Sequence, residues 1–174
     1  QAVYTDLTNQ LSDTHWGIFE INLFGDAQLI ENLNAQNGLF SVVETSASQS
    51  TSRLVRSVAG GINTPRDGIA AAIHKLAEPQ VNIVSLTITE QGYCLDPQTR
   101  SLDLTNGLIQ HDLQNPDAPL SAIGVIVCAL QQRKVTGLAA FSVLSCDNLP
   151  DNGHLKRTAV LGFARQLDPP LAQW

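Results

Sequence analysis

The chain has 174 residues, 43% of them hydrophobic and 15% charged, which is enough for a domain with its own core and unlike a disordered composition. A formal charge of −6 excludes nucleic acid and anionic membrane surfaces as expected partners, and the ten Lys and Arg residues form no basic stripe. The longest apolar stretch, residues 122–130, falls well short of the ~20 residues of a membrane-spanning helix.

Residues 2–11 place Val3, Leu7 and Leu11 on one helical face. Residues 16–24 are rich in aromatic and β-branched side chains and read as a strand closed by Gly25-Asp26. Helical spacing returns over 27–36 through Leu29, Ile30 and Leu33, and Asn37-Gly38 stops it. Residues 39–44 and 53–58 read as two strands joined by a Ser/Thr-rich loop, a surface hairpin. Thr64-Pro65-Arg66-Asp67 predicts a helix start with Thr64 as N-cap, followed by a buried stripe of Ile69, Ile73 and Leu76 that ends at Glu78-Pro79.

Residues 81–89 form the strongest strand, apolar at several positions on both faces, as for a strand covered on both sides. Residues 121–136 carry a strand-like Ile-Gly-Val-Ile-Val run, but their length, Ser121 and the finish before Gly137 predict a helix. A strand over 141–146 and a helix over 153–167 follow, stopped by Asp168-Pro-Pro. Strands alternating with helices imply an α/β fold with a mostly parallel, doubly wound sheet.

Two strands end abruptly in polar clusters. Residues 81–89 run into Glu90-Gln-Gly-Tyr-Cys94, and 141–146 run into Asp147-Asn-Leu-Pro-Asp-Asn-Gly153. Ligands of open α/β sheets sit at the strands' carboxyl ends, so both endings point to ligand binding. Glu90 there can meet a ribose, a substrate hydroxyl or a lysine, or it is a solvated turn acid. Thr87 and Thr89, on one strand face, favour the first reading. Asn148 can stabilise an oxyanion through its amide NH₂, or it serves the turn. Cys146 at a strand end invites a cysteine-hydrolase reading, although no His stands at an obvious partnering position. Asp26, after a strand and before a helix, either binds an adenosine ribose or caps the helix. No G-x-G-x-x-G occurs, and the four His and three Cys show no metal-ligand spacing, so no metal is assigned.

The segments Gln1-Ala-Val-Tyr-Thr-Asp6, Asp13-Thr-His-Trp-Gly-Ile18, Ser85-Leu-Thr-Ile-Thr-Glu-Gln-Gly-Tyr-Cys94 and Ser145-Cys-Asp-Asn-Leu-Pro-Asp-Asn-Gly153 resemble the polyol-specific long-chain dehydrogenases. That family includes mannitol 2-dehydrogenase and fructuronate reductase (mannonate oxidoreductase), and the resemblance runs over essentially the whole chain. It implies a Rossmann-type domain binding NAD, a helical C-terminal domain bringing most catalytic groups, and a sugar-acid or polyol substrate. It further implies that Asn148 helps polarise the substrate carbonyl and that Glu90, with Thr87 and Thr89, walls the cofactor site. Asp26 falls in the family's ribose-recognition region. None of Lys75, Lys134 or Lys156 heads the family's Lys-x4-Asn-x2-His pattern. The segment Glu20-Ile-Asn-Leu-Phe24 departs from the mannitol 2-dehydrogenase type, and Asn152-Gly-His-Leu155 is nearer the fructuronate-reductase branch.

Three cysteines, Cys94, Cys128 and Cys146, cannot all pair and lack CxxC spacing, which predicts a reducing, cytoplasmic setting. The chain has no Met and begins at Gln1, so the expectation is a piece of a longer protein. On that expectation the family's first strand and glycine-rich turn precede Gln1 and its catalytic domain follows Trp174. Residues 1–174 alone are then inactive, with weak or absent NAD binding.

Overall fold

A computed structural model describes residues 7, 10, 11 and 15–174 of the chain. The helical reading of residues 2–11 lies mostly outside the described residues. The chain divides into two compact units, Gln1–Gly68 and Ile69–Trp174. Three two-stranded sheets form among the described residues, two of them parallel.

The first unit pairs β1 (Ile18–Asn22) in parallel with β4 (Val58–Asn63), with α1 (Gln28–Ala35) between them in sequence. No strand is read over 59–63 from the sequence, because glycine is depleted in strands. The glycines of β4 serve packing instead: a Cβ on Gly61 would lie 2.8 Å from Ile30 Cδ1, so α1 can rest on the strand only at a bare backbone. Asn34 of α1 then completes the strand edge, donating from Nδ2 to the Gly61 carbonyl and accepting from its N–H, both at 2.9 Å. Gly38, at φ +76°, ends α1 by donating its N–H to the Leu33 carbonyl at 2.8 Å. The expected hairpin is present as β2 (Phe40–Thr45) and β3 (Ser50–Val55), antiparallel and closed by Ser46 and Gln49.

The single helix expected from Thr64 is two. Asn63, not Thr64, is the N-cap of α2 (Thr64–Asp67), its side chain accepting from the Arg66 N–H. Gly68, at φ +84°, then breaks the path before α3 (Ile69–Ala77).

The second unit pairs β5 (Ile83–Leu86) with β6 (Ser142–Ser145) in parallel. Between them run α4 (Gly107–Gln114) and α5 (Ala122–Val135), and after them α6 (Asn152–Leu167) and α7 (Pro169–Gln173). The helix α5 packs against α3 and α6, and its first eight residues are all buried. Its sequence is therefore apolar all round and loses helical periodicity, which is why a strand reading competes with it. The strand β5 is shorter than expected and covered on one face only. Val84 and Leu86 are buried, while Ile83 is 50% exposed.

Two buried polar groups hold this core. Asp112 of α4 is fully buried and accepts from Leu120 N–H (2.7 Å), Ser121 N–H (2.9 Å) and Ser121 Oγ (2.6 Å), while Ser121 itself caps α5 by accepting from Gly124 N–H. Arg133 satisfies its buried guanidinium on three carbonyls, those of Ala139 (2.7 Å), Glu78 (2.6 Å) and Val81 (3.1 Å). That ties the end of α5 to the chain entering β5.

Gly124 makes the Asp112 arrangement possible, since a Cβ there would run into the Asp112 carboxylate and stand 2.9 Å from Pro119 Cβ. Gly124→Ala is expected to destabilise by about 1–3 kcal/mol. Gly153→Ala, with nothing within 4 Å, is expected to be neutral or to stabilise by up to about 1 kcal/mol. Urea unfolding midpoints check this, and equal midpoints for the two variants would contradict it.

Candidate functional site

Register decides which polar residues meet in the second unit. Leu86 of β5 stands opposite Ser145 of β6, and the Cys146 N–H donates to the Leu86 carbonyl at 2.8 Å, closing the ladder. Both chains then leave the sheet together. After β5 come Thr87, Ile88 and Thr89, then a 3-10 turn over Glu90–Tyr93 in which Gly92 N–H donates to the Thr89 carbonyl at 2.8 Å. Thr87 and Thr89 lie beyond the last ladder pair at Leu86, both exposed, before the chain turns at Glu90. Gly92 permits the turn: a Cβ there would stand 3.0 Å from Ile88 Cβ.

The turn drives Tyr93 inward to 1% exposure, and its hydroxyl reaches across to the end of β6. It donates to Asp147 Oδ2 at 2.5 Å and lies 2.7 Å from Ser145 Oγ. From the far side, Asn152 Nδ2, at the start of α6, donates to the Asp147 main-chain carbonyl at 2.8 Å. Asp147 is thus held at both its carboxylate and its carbonyl. Next to it, Asn148 is exposed and its side chain makes no hydrogen bond to the described residues. Thr87, Thr89 and Glu90 are likewise exposed. The parallel pair thus brings Thr87, Thr89, Glu90 and Asn148 to neighbouring strand ends, while Tyr93, Ser145 and Asp147 form a polar tie beneath them.

The three cysteines are free thiols. Burial pushes the Cys128 thiol up to about 11 and raises that of Cys94, so both are inert. Cys146 is exposed, and among the described residues no hydrogen bond joins it to a histidine. The lysines are engaged elsewhere: Lys75 with Glu78 (2.7 Å), Lys134 with Asp168 (3.6 Å), and Lys156 with the Val143 carbonyl.

Asp26 belongs to the first unit. It is exposed, and its Oδ1 accepts at 2.9 Å from the N–H of Gln28, the first residue of α1, whose N-cap position is Ala27. The turn carrying it is fastened by Asn63, fully buried at the end of β4, whose Nδ2 donates to the Gly25 and Asp26 carbonyls, each at 3.3 Å. Thr64 Oγ1 adds a bond to the Leu23 carbonyl at 3.0 Å. Arg66 forks between Asp67 (2.7 Å) and Glu31 (3.1 Å), and the guanidinium holds the Asp67 carboxyl below its usual range.

Sequence reasoning passed over Tyr93, Ser145, Asp147 and Asn63 as site-building residues. The one available signal was a Tyr after a glycine at one strand end and an Asp at the other. Among the described residues no group of three or more His, Cys, Asp or Glu could hold a metal ion, and no helix is long and apolar enough to cross a membrane.

Burial and the Asp147 hydrogen bond push the Tyr93 phenol up to about 12. A raised pKa means that the neutral phenol supports the fold. That contribution is whole below about pH 10, the ordinary tyrosine value, and is lost as the pH climbs through about 12. An absorbance titration is expected to show a late phenolate step that vanishes in Tyr93→Phe. Ionisation of Tyr93 at about pH 10 would contradict the buried tie.

Comparison with known proteins agrees with the sequence resemblance. The family model described as the mannitol dehydrogenase Rossmann domain matches residues 2–174. An oxidoreductase of Escherichia coli K12, YeiQ, is 50% identical over the whole chain, which covers 36% of its length. The D-mannonate oxidoreductase of the same organism is 47% identical, again over all of this chain and 36% of its own. The solved ternary complex of Pseudomonas fluorescens mannitol 2-dehydrogenase with NAD and D-mannitol is 37% identical, with a TM-score of 0.91 over 100% of this chain and 36% of that one. The chain therefore spans about a third of the length of the relatives it matches. These relatives are oxidoreductases, so a thiol hydrolase built on Cys146 finds no support in geometry or kinship. The chain belongs to the mannitol dehydrogenase family, whose Rossmann domain it matches almost from end to end.

Proposed function

We propose that this chain is the nucleotide-binding part of an NAD-dependent oxidoreductase that moves a hydride between the cofactor and a secondary alcohol or ketone of a sugar acid or polyol. The observation that carries the reading is the parallel pairing at Leu86 and Ser145, which sets exposed Thr87, Thr89, Glu90 and Asn148 at adjacent strand ends of a Rossmann domain. These groups fit NAD chemically: hydroxyls and a carboxylate suit ribose hydroxyls, and an amide donor suits a carbonyl that gains negative charge. When bound, NAD supplies or accepts the hydride.

In this reading Thr87, Thr89 and Glu90 wall the cofactor in the second unit. Taken by itself, the first unit offers the exposed Asp26 carboxylate as an acceptor suited to a ribose hydroxyl. Asn148 donates from Nδ2 to the reacting oxygen as charge develops on it. The acid/base group comes from a helical C-terminal domain beyond this chain. A fructuronate-type sugar acid is the preferred substrate. The 47% identity to D-mannonate oxidoreductase, against 37% for the mannitol 2-dehydrogenase structure, supports this, as does Asn152-Gly-His-Leu155. Three free cysteines fit a reducing, cytoplasmic setting.

Steady-state assays of the whole protein with NADH are expected to give turnover with fructuronate above that with fructose. The reverse order would favour a mannitol-type enzyme, and no oxidation of NADH by either ketone would end the proposal. Asn148→Ala is expected to lower kcat by about 10²–10³-fold while NADH affinity holds. Unchanged kcat would leave Asn148 as turn structure only. Residues 1–174 alone, having no G-x-G-x-x-G turn, are expected to bind NAD weakly, and micromolar affinity by calorimetry would contradict this.

A further inference from the structure

Asn148 is an exposed turn residue with no side-chain hydrogen bond to the described residues, yet the oxyanion role asks for a donor held in place before the substrate arrives. Something must fix the backbone that carries it. The sequence from 147 to 153 offers only turn formers, which by themselves allow many conformations.

The structure supplies the restraint from elsewhere in the chain. Tyr93 lies 54 residues before Asp147 and comes from the other strand's turn. Its ring is buried, and its hydroxyl can point only where packing sends it. It has one proton to donate, and the 2.5 Å contact gives that proton to Asp147 Oδ2. Ser145 Oγ, 2.7 Å away, then donates to the phenol oxygen, so each oxygen is satisfied. With the carboxylate fixed by Tyr93 and the carbonyl by Asn152 Nδ2, the Asp147–Asn148 peptide is fastened on both sides. Neither bond uses Asn148 itself, whose amide stays available to a ligand.

We propose that Tyr93 is a positioning residue of the reaction: its hydroxyl clamps Asp147 and thereby aims the Asn148 amide at the reacting oxygen. Tyr93 touches neither substrate nor cofactor. Because it ends the turn that begins at Glu90, the same hydroxyl also ties the proposed cofactor wall to the turn bearing Asn148. The proposal rests on the role given to Asn148 above.

The test is a double-mutant cycle in the whole protein, assayed with NADH and fructuronate, or with fructose if that is the better ketone. Tyr93→Phe keeps the buried ring and is expected to lower kcat about tenfold or more, with KM for NADH within about twofold of the parent. In the Asn148→Ala background the same change is expected to cost nothing further, since Tyr93 acts through Asn148. Asp147→Asn, which still offers an oxygen to the phenol, is expected to keep most of the turnover, whereas Asp147→Ala matches Tyr93→Phe. This pair of variants also covers the case in which Tyr93→Phe folds poorly. An impaired Asn148→Ala beside a fully active Tyr93→Phe would overturn the clamp alone. A full-strength Tyr93→Phe effect on top of Asn148→Ala would overturn it too. A fully active Asn148→Ala would remove the underlying reading, and the clamp with it.

Discussion

The parallel pairing of β5 with β6 is the constraint on which the second unit depends. Parallel neighbours need a long crossover, and here residues 87–141 provide it, including α4 and α5. The crossover must return the chain in register, so that Leu86 meets Ser145 and no other residue. A slip of one position would turn Val84 and Leu86 out of the core. The same slip would move Tyr93 away from Asp147. Core packing and site assembly are therefore set by one register.

That register is held from a distance by polar groups that cost stability if left unpaired. Asp112 sits at the N-terminus of α5 and gathers two backbone donors and a hydroxyl. Arg133 sits near the other end of α5 and gathers three carbonyls, two of them from residues leading into β5. A central helix buried on nearly all sides has little sequence-encoded orientation of its own. Polar anchors at its two ends supply rotation and depth, because each is satisfied in one placement and stranded in others.

Much of this was legible from residues alone, for identifiable reasons. Polar clusters after Leu86 and Ser145 stand out because apolar strands end there, and Ser121 and Asp168-Pro-Pro mark helix ends by their backbone chemistry. The strand β4 escaped because glycine is depleted in strands, whereas the structure uses Gly61 to let Ile30 of α1 approach. The sequence offers Thr64 as a cap, whereas Asn63, one residue earlier, takes that place and also reaches the Gly25 and Asp26 carbonyls. The Tyr93–Asp147 bond and the Asp112 anchor escaped for another reason. A lone polar residue that pairs across a crossover has no periodic neighbours, so nothing local distinguishes it from a solvated one. In short, the ends of elements were readable, and the ties between them were not.

In the proposed clamp, a buried phenol holds a turn so that an exposed amide can meet a reacting oxygen. Its most direct test is a crystal structure of the whole protein with NADH and a bound ketone substrate or its alcohol product. Asn148 Nδ2 is expected about 3 Å from the reacting oxygen, with the Tyr93 hydroxyl still on Asp147. A reacting oxygen held by other groups, with Asn148 turned to solvent or the Tyr93–Asp147 contact broken, would contradict it.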